Sequence, residues 1–295
     1  MTDLNESMKS TAAAVTRQLD ELLPPAAGPR GRVVDAMRYS CLGGGKRLRP
    51  FLVVACARLF DVRDPRALRV AAAVEMVHCY SLVHDDLPAM DNSDLRRGQP
   101  TVHKKFDHAT AILAGDGLLT RAFGVLAHPD THKDAEVRAE LVRELAAASG
   151  EDGMVGGQMI DISPERNDLD LDGVRELQSL KTGALIDYAC QAGAILGKGD
   201  AEARAALRAY AEDLGLAFQV ADDLLDAEGD AGQIGKPTGQ DAEAHKATFL
   251  GLLGSKKARQ KATTLSDSAA GHLAPFGDKA DLLRQMARFV IERKS

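Results

Sequence analysis

The sequence predicts an all-α protein, folded as one helical bundle over residues 1–295. Aromatic residues make up only 4% of the chain and tryptophan is absent, whereas a β-sandwich needs aromatic and β-branched strands. Hydrophobic residues make up 45% of the chain, which is enough to bury a large core. Long runs with apolar residues at helical spacing, joined by short connections, favour a bundle that forms a single domain.

Each predicted helix is a run of helical periodicity that lies between glycine or proline breakers. In chain order the predicted helices cover about residues 8–23, 30–39, 49–59, 65–87, 109–127, 135–148, 171–196, 201–225, 242–253, 256–270 and 280–293. The breakers between them are Pro24-Pro25, Gly43-Gly44-Gly45, Pro88, Gly98 with Pro100, 150–157, Ser163-Pro164, 229–239 and 271–277.

Charge and cysteine usage exclude several classes of protein. A net charge of −6 and a pI near 5.8 argue against a nucleic-acid partner. The most apolar run, 70–83, contains Glu75 and His78 and is too short to span a membrane. The start of the chain lacks a signal-peptide pattern, and no CxxC or zinc-type spacing relates the cysteines, which are Cys41, Cys56, Cys79 and Cys190. We therefore expect a soluble, cytoplasmic protein.

Two aspartate clusters stand in otherwise apolar stretches. The first contains Asp85, Asp86 and Asp91, and the second contains Asp222 and Asp226 within the run DDLLD. Carboxylates on apolar segments are costly to desolvate, so cations must compensate them. Hard oxygen ligands of this kind suit Mg²⁺ that is bound partly through substrate phosphates. Two such clusters facing each other would hold Mg²⁺ and a diphosphate.

The second cluster forms one polar stripe on a predicted helix. Gln219, Asp222, Asp223 and Asp226 share a face because they lie at spacings of 3, 4 and 7 residues. A solvated surface is the alternative interpretation. No lysine or arginine lies four residues from these acids, although a solvent face normally mixes charges. The stripe therefore favours a cation site.

Basic residues accompany the first cluster. His78, Ser81 and Asp85 lie nearly on one helical line, Pro88 ends the helix, and Arg96-Arg97 follow in the next turn. Guanidinium groups suit phosphate oxygens. A buried histidine satisfied by a neighbour and a simple ion-pair cluster are the alternatives for this segment.

Further cationic groups stand in a glycine-rich segment and as single lysines. The run GGGKRLRP (43–50) places Lys46 and Arg49 after three glycines that let a backbone approach an anion, and it lacks the spacing of an ATP-binding P-loop. Lys181, Lys236 and Lys246 could also reach a phosphate, although single lysines are usually solvated.

These motifs together resemble the trans-isoprenyl diphosphate synthases over nearly the whole chain. The matching segments are GGGKRLRP (43–50), HCYSLVHDDLPAMD (78–91), DLRRGQPT (94–101), LAGD (113–116), GGQMID (156–161), KTGALI (181–186), AFQVADDLLD (217–226) and GKPTGQD (235–241). The resemblance implies a single polyprenyl synthase domain with the isoprenoid synthase fold. In that fold the acidic segments face each other across a deep central cavity, usually in a homodimer.

The resemblance also implies a role for each matching residue. Mg²⁺, three ions once substrate is bound, would be held by Asp85, Asp86, Asp91, Asp222 and Asp226. The allylic diphosphate would be held by Arg96, Lys181, Lys236 and Lys246, and isopentenyl diphosphate by Lys46, Arg49, His78 and Arg97. Thr182 and Gln219 would line the reacting centre, where Asp85, Asp86, Lys181 and Asp222 also act in catalysis.

The implied activity is condensation of isopentenyl diphosphate with dimethylallyl or geranyl diphosphate to give farnesyl diphosphate. The alternative is geranylgeranyl diphosphate, with a C20 chain. In the resemblance, an aromatic residue at Tyr80, five positions before Asp85, stops chain growth. Ser81 is the residue directly below Asp85 on the helix, and ordinary packing is the alternative role for Tyr80.

Other classes of protein fit the sequence less well. A terpene cyclase, or a prenyltransferase for another acceptor, would share the acidic clusters but would not need Lys46, Arg49 and Arg97. A non-catalytic helical subunit would be expected to have lost its aspartates. A calcium-binding helical protein is disfavoured because no EF-hand spacing is present.

Overall fold

The computed structural model describes residues 3–228 and 247–293. The regular elements of this part of the chain are helices apart from one two-stranded antiparallel pairing, so the prediction of an all-α protein is confirmed. The chain forms two compact units, Met1–Val142 with Ile195–Gly197 and Arg143–Ala194 with Lys198–Ser295, which are described separately below. The single domain expected from sequence stays a prediction.

Unit 1 contains most of the N-terminal elements. They are α1 (Leu4–Leu22), α2 (Gly31–Leu42), α3 (Leu48–Leu59), α4 (Asp64–Asp85), β1 (Leu95–Arg96), β2 (Gln99–Pro100), α5 (Val102–Lys105) and α6 (His108–Ala127). Helix α7 (Ala135–Ser149) contributes residues to both units.

Helix α4 is the core helix of unit 1. It begins at Asp64 and Pro65, an acid and a proline that both suit the first turn. It packs against α1, α3 and α6 and is buried on every side, which explains why its sequence is apolar without a polar stripe. Small side chains from Ala71 to Ala73 are fully buried and allow the neighbouring helices to approach closely. The core therefore fixes the position of the first aspartate cluster, which lies at the C-terminal end of α4.

Strands β1 and β2 form a hairpin directly after this cluster. Arg97 and Gly98 connect the strands and have φ angles of 54° and 74°, which is the geometry of a type I′ turn. The Tyr39 hydroxyl of α2 donates a hydrogen bond to the carbonyl of Pro100 at 2.8 Å. The hairpin is thereby attached to α2.

Unit 2 contains the remaining described elements. They are α8 (Met154–Ile162), a 3₁₀ turn (Pro164–Asp168), α9 (Leu171–Gln178), a π-helical turn (Ser179–Gly183), α10 (Ala184–Leu196, whose last two residues belong to unit 1), α11 (Ala201–Glu228), α12 (Phe249–Leu253), α13 (Ser255–His272), a second 3₁₀ turn (Ala274–Ala280) and α14 (Asp281–Glu292).

Helix α11 organises unit 2. It packs against α13 and α14, and its Tyr210 hydroxyl donates a buried hydrogen bond to the Leu283 carbonyl of α14 at 3.0 Å. Near its C-terminal end an apolar cluster surrounds Val220, Leu224 and Phe249. The second aspartate cluster therefore projects from a helix that is held by several others.

The predicted helices agree with most of those observed, with informative differences. Residues 171–196 are helical as predicted but contain a π-helical turn, and α4 ends at Asp85 rather than at 87. Helix α8, in a glycine-containing stretch, and the short α5 were not predicted. The predicted helix 242–253 lies partly outside the described residues, and its described part begins at Phe249.

One described helix, α6, is long and apolar enough to cross a membrane by length and composition alone. Core helices pass the same test. In unit 1 this helix packs against α2 and α4, and its Arg121 donates hydrogen bonds to the carbonyl of Leu22.

Candidate active site

The first aspartate cluster lies in a tight turn that reverses the chain at the end of α4. The backbone N–H of Asp91 donates to the carbonyl of Asp85 at 2.8 Å, and the N–H of Ser93 donates to the carbonyl of Asp86 at 3.2 Å. Asp85 is half-buried and Asp91 is exposed. The turn thus returns Asp91 to the helix end, so that the backbones of Asp85 and Asp91 are adjacent.

Asp86 is held in place by an arginine of the hairpin. Its side chain is almost completely buried, and Arg96 Nε lies 2.8 Å from Oδ1 and 3.0 Å from Oδ2. Burial raises the pKa of Asp86, while the hydrogen bond and charge of Arg96 oppose that rise. Cation and carboxylate therefore lie side by side, as the sequence predicted for this segment.

The predicted binding residues His78, Arg49 and Arg97 lie close enough for their charges to interact. The pKa of His78 is lowered well below its usual value, first by burial and then by the positive charges of Arg49, Arg97, Arg96 and Arg47. The imidazole is consequently neutral near pH 7, and it lies within the electrostatic influence of four arginines. Arg47 and Arg96 are paired with Glu75 and Asp86, so only part of this positive charge is available to a polyanion.

Arg97 also joins the hairpin to the glycine-rich segment. It donates a hydrogen bond to the carbonyl of Gly44, and a Cβ atom at Gly45 would lie 2.6 Å from its guanidinium group. Lys46, which follows Gly45, is exposed. A cavity of about 60 Å³ opens beside this contact. Its lining includes Tyr39, Gly43, Cys79, Asp86, Arg96 and Arg97.

Tyr80 and Ser81 lie on α4 and outside the lining of that cavity. The Tyr80 side chain is 7% exposed, and the Ser81 hydroxyl donates to the carbonyl of His78 at 3.0 Å. Burial, with a smaller contribution from the charge of Asp85, raises the pKa of Tyr80 to about 12.

In unit 2, Lys181 lies in the π-helical turn and pairs with an aspartate of α8. Lys181 Nζ is 2.6 Å from Oδ2 of Asp161, whose side chain is buried. Arg166 donates to the backbone carbonyl of Asp161 at 2.7 Å. A second cavity, of about 120 Å³, is lined by these three residues together with Thr182, Gln219 and Asp223.

Thr182, Gln219 and Asp223 form a chain of polar contacts across this cavity. The Thr182 hydroxyl donates to Gln219 Oε1 at 3.4 Å, and Gln219 Nε2 donates to Asp223 Oδ1 at 3.4 Å. The other oxygen of Asp223 accepts the backbone N–H of Phe249 at 2.8 Å. Asp223 therefore orients the Gln219 amide and attaches the start of α12 to α11.

Asp222, on the same helix, pairs with Arg293, which follows α14. Arg293 Nη2 lies 2.6 Å from Asp222 Oδ1, and its guanidinium group stacks 3.9 Å over the ring of Phe218. The Arg293 side chain is 7% exposed. Burial lowers the pKa of Arg293, and the charge of Asp222 opposes that change. Asp226 lies one turn further along α11 and is partly buried.

The carboxylates present fit a hard divalent cation. Within residues 3–228 and 247–293, no group of three or more His, Cys, Asp or Glu side chains could hold a metal ion by itself. Mg²⁺ is commonly bound through one or two carboxylates while waters and substrate phosphates complete its shell. The exposed Asp91 and the partly exposed Asp85, Asp222 and Asp226 suit that mode of binding.

Gly157 of α8 packs closely against the backbone of Lys181, so Gly157→Ala should lower the stability of the protein strongly. An added Cβ would lie 2.2 Å from the backbone nitrogen of Lys181, which a rigid backbone cannot relieve. We expect a loss of about 1–3 kcal/mol in unfolding free energy, measured by denaturant titration. The control is Gly271→Ala on α13, where a Cβ has no neighbour within 4 Å. Equal stability of both variants would contradict the prediction.

Two predicted binding residues, Lys236 and Lys246, lie outside the described residues. The sequence assigned no role to Asp161, Arg166 or Arg293; the structure places the first two in the lining of the second cavity and pairs Arg293 with Asp222. Asp223, which the sequence placed on the polar stripe of α11, lines the same cavity. Asp161 stands within a quoted motif and Asp223 is the second acid of its cluster, so a signal existed for both. Arg166 and Arg293 carried no signal in the sequence.

The described residues define a class of protein. An all-α chain with carboxylates at a helix end, arginines clustered around a neutral histidine, and a separate pocket with a lysine is typical of enzymes that bind diphosphates through cations. The sequence matches the polyprenyl synthetase family over residues 31–285. The chain belongs to this family, which confirms the resemblance found in its motifs.

The chain is similar to known proteins over nearly its full length. The farnesyl diphosphate synthase of Escherichia coli is 43% identical over 99% of each chain. The large subunit 1 of a heterodimeric geranylgeranyl pyrophosphate synthase of Arabidopsis thaliana is 41% identical over 96% of this chain and 78% of its own length. A crystal structure of an FPP/GFPP synthase from Zymomonas mobilis aligns with a TM-score of 0.88 and 50% identity, over 98% of each chain.

Proposed function

We propose that the chain is a short-chain trans-prenyltransferase that condenses isopentenyl diphosphate with an allylic diphosphate to form farnesyl diphosphate. The observation that carries this proposal is the side-by-side arrangement of Asp86 and Arg96, next to the arginines around His78. Such an arrangement can bind diphosphates and a divalent cation together. Full-length similarity to farnesyl diphosphate synthases supports the C15 product.

The proposed allylic site combines both acidic segments. Mg²⁺ would be bound by Asp85, Asp86, Asp91, Asp222 and Asp226. The diphosphate would be held by Arg96, Lys181, Lys236 and Lys246. In unit 2 the ion pair of Lys181 with Asp161 fixes the lysine at the edge of the polar cavity, ready to donate to a phosphate oxygen.

The proposed site for isopentenyl diphosphate is formed by Lys46, Arg49, His78 and Arg97. Because the pKa of His78 is lowered, its imidazole acts as a neutral hydrogen-bond partner while the arginines supply positive charge. This second diphosphate site separates a chain-elongating enzyme from a cyclase, which has one diphosphate to bind.

The chemistry requires cleavage of the allylic C–O bond, which produces a carbocation and a diphosphate. When bound, Mg²⁺ supplies Lewis-acid stabilisation of the departing diphosphate, worth several kcal/mol. Arg96 and Lys181 stabilise the same anion through charge-assisted hydrogen bonds, which strengthen where water is excluded. The isopentenyl double bond then attacks the cation, a C–C bond forms, and the released diphosphate accepts the lost proton.

Thr182 and Gln219 would steady the positive charge. The Thr182 hydroxyl donates its proton to Gln219 Oε1, so the lone pairs on Thr182 Oγ1 remain to face a cation. Asp223 holds the amide of Gln219 in the orientation that this requires. The dipoles are therefore oriented before the reaction begins, and they need no reorganisation during it.

A direct assay tests the proposed function. The purified protein is incubated with Mg²⁺, isopentenyl diphosphate and geranyl diphosphate, and the products are dephosphorylated and separated by chain length. We expect a C15 alcohol. A C20 product would support the alternative, a geranylgeranyl diphosphate synthase, which the Arabidopsis relative favours. Cyclised hydrocarbons, or no product, would contradict the proposal.

A homodimer and a cytoplasmic location are further expectations for this chain, typical of such enzymes. Light scattering of the purified protein measures the oligomeric state directly. A mass near twice 31.4 kDa is expected.

Tyr80 is proposed to limit the length of the product, so Tyr80→Ala should shift the product from C15 toward C20. The expected cause is the loss of a buried aromatic ring below the first aspartate cluster. Product chain length with geranyl diphosphate as starter is the measurement. Tyr80→Phe, which keeps the buried ring and removes only the hydroxyl, is the control. An unchanged C15 profile in Tyr80→Ala would assign Tyr80 to ordinary packing.

A further inference from the structure

The Tyr80 ring has an aromatic partner one helical turn further along α4. Its ring and that of His84 meet edge to face, with centroids 5.8 Å apart and an interplanar angle of 79°. Residues four apart on a helix are neighbours, so α4 itself brings the two rings together. Tyr80 is almost completely buried, and the contact removes freedom that the phenol ring would otherwise have.

His84 is in turn fixed by helix α6. Its Nε2 lies 3.0 Å from the carbonyl oxygen of Ile112. A carbonyl can only accept, so Nε2 carries the proton and donates. This hydrogen bond sets both the tautomer and the plane of the imidazole.

A glycine of α6 provides the space in which the imidazole lies. A Cβ atom built at Gly115 would be 2.1 Å from His84 Nε2, 2.5 Å from Cδ2 and 2.8 Å from Cε1. The ring thus occupies the volume that any other residue would fill with its side chain. Gly115 belongs to the LAGD segment, for which the proposed chemistry gives no role.

We infer that His84 is a positioning residue for product length. Gly115 and the Ile112 carbonyl fix the imidazole, and the imidazole holds the Tyr80 ring where that ring stops the growing chain. This inference rests on the proposed function. It adds a determinant that does not itself touch substrate. Chain length then depends on the packing of α4 against α6 and not on Tyr80 alone.

The direction of the effect follows from the contact. Removing the imidazole takes away the edge-to-face contact that restrains the Tyr80 ring. A ring that is less restrained blocks the growing chain less completely. Longer products should therefore be favoured when His84 is lost, in the same sense as in Tyr80→Ala.

Two substitutions of His84 separate the ring from other effects. His84→Ala is expected to raise the C20 to C15 product ratio by roughly tenfold, the lower end of what a methylene-sized change in an apolar pocket achieves. His84→Phe keeps an aromatic edge against Tyr80 and should give a ratio close to the parental one. The ratio is independent of the amount of active protein, so a general loss of stability does not change it.

A matched pair of glycine variants tests whether the space at Gly115 positions the His84 imidazole. Gly115→Ala displaces the imidazole and should raise the ratio in the same direction. Gly124→Ala, on the same helix with no atom within 4 Å of the added Cβ, should leave it unchanged. This pair decides the question if His84→Ala does not fold. In a Tyr80→Ala background, His84→Ala should add nothing, because His84 acts through Tyr80.

The outcomes distinguish this inference from the proposed function. A parental protein that makes no C15 product overturns the proposed function, and the inference with it. A parental protein that makes C15, with parental ratios in both His84→Ala and Gly115→Ala, overturns the inference alone. An additive effect in the double variant would also overturn it, since His84 would then act independently of Tyr80.

Discussion

Asp86→Ala and Asp222→Ala should each lower turnover by roughly 10²-fold or more, the cost of losing one preorganised electrostatic contact at a reacting centre. Asp86 is buried against Arg96, and Asp222 is partly exposed on the polar stripe of α11. In the proposed site both carboxylates bind the divalent cation that stabilises the leaving diphosphate. The measurement is the rate of C15 formation at saturating Mg²⁺ and substrates.

Charge and packing must be separated in this experiment, because Asp222→Ala also removes the partner of the buried Arg293 guanidinium. Asp222→Asn keeps an oxygen that can accept the hydrogen bond of Arg293. We expect Asp222→Asn to lose as much turnover as Asp222→Ala but to melt closer to the parental temperature. Asp267→Ala, at an exposed position of α13, is the control. Near-parental rates in the Asp86 and Asp222 variants would refute the assignment of these aspartates.

Glu75→Ala should lower the unfolding free energy by about 3–5 kcal/mol, which is the cost of removing one partner of a buried ion pair. Glu75 pairs with Arg47, and both side chains are at most 2% exposed. Arg47 also donates to the backbone carbonyl of Cys41. Removing Glu75 leaves a positive charge inside unit 1 without its counter-charge. Denaturant titration followed by circular dichroism gives the change.

A double variant shows whether the cost belongs to the unpaired charge. Replacing both residues in Arg47→Met/Glu75→Leu removes the pair together, and such replacements are often neutral or stabilising. We therefore expect the double variant to be more stable than Glu75→Ala. Glu176→Gln, at an exposed position of α9, should leave the midpoint unchanged. A double variant that is less stable than Glu75→Ala would contradict this account.

Local patterns were sufficient to predict most helices and the position of the first aspartate cluster at the end of α4. Pro88 correctly indicated that α4 ends near the aspartates, and the spacing of Gln219 and Asp223 correctly placed their side chains on one face of α11. These features depend on residues within two turns of each other. The periodicity of the sequence records such relations directly.

Long-range packing accounts for what the sequence did not predict. Gly156 and Gly157 suggested a loop between helices, yet both lie inside α8. The absence of a side chain at Gly157 lets this helix approach Lys181, and no local pattern shows that contact. The partners of Arg47 and Arg293 are 28 and 71 residues away, and no local pattern relates them. The facing of the two aspartate clusters, one in each unit, stays a prediction.

The π-helical turn at 179–183 contains one more residue than an α-helical turn would need. Each residue of an α-helix advances the chain by about 100° around its axis. Deleting a single residue here would make the helix regular, but it would swing every following side chain by that angle. The surplus residue thus sets the azimuth at which Lys181 and Thr182 meet their partners. An insertion or deletion in this segment would therefore turn Lys181 and Thr182 away from Asp161 and Gln219.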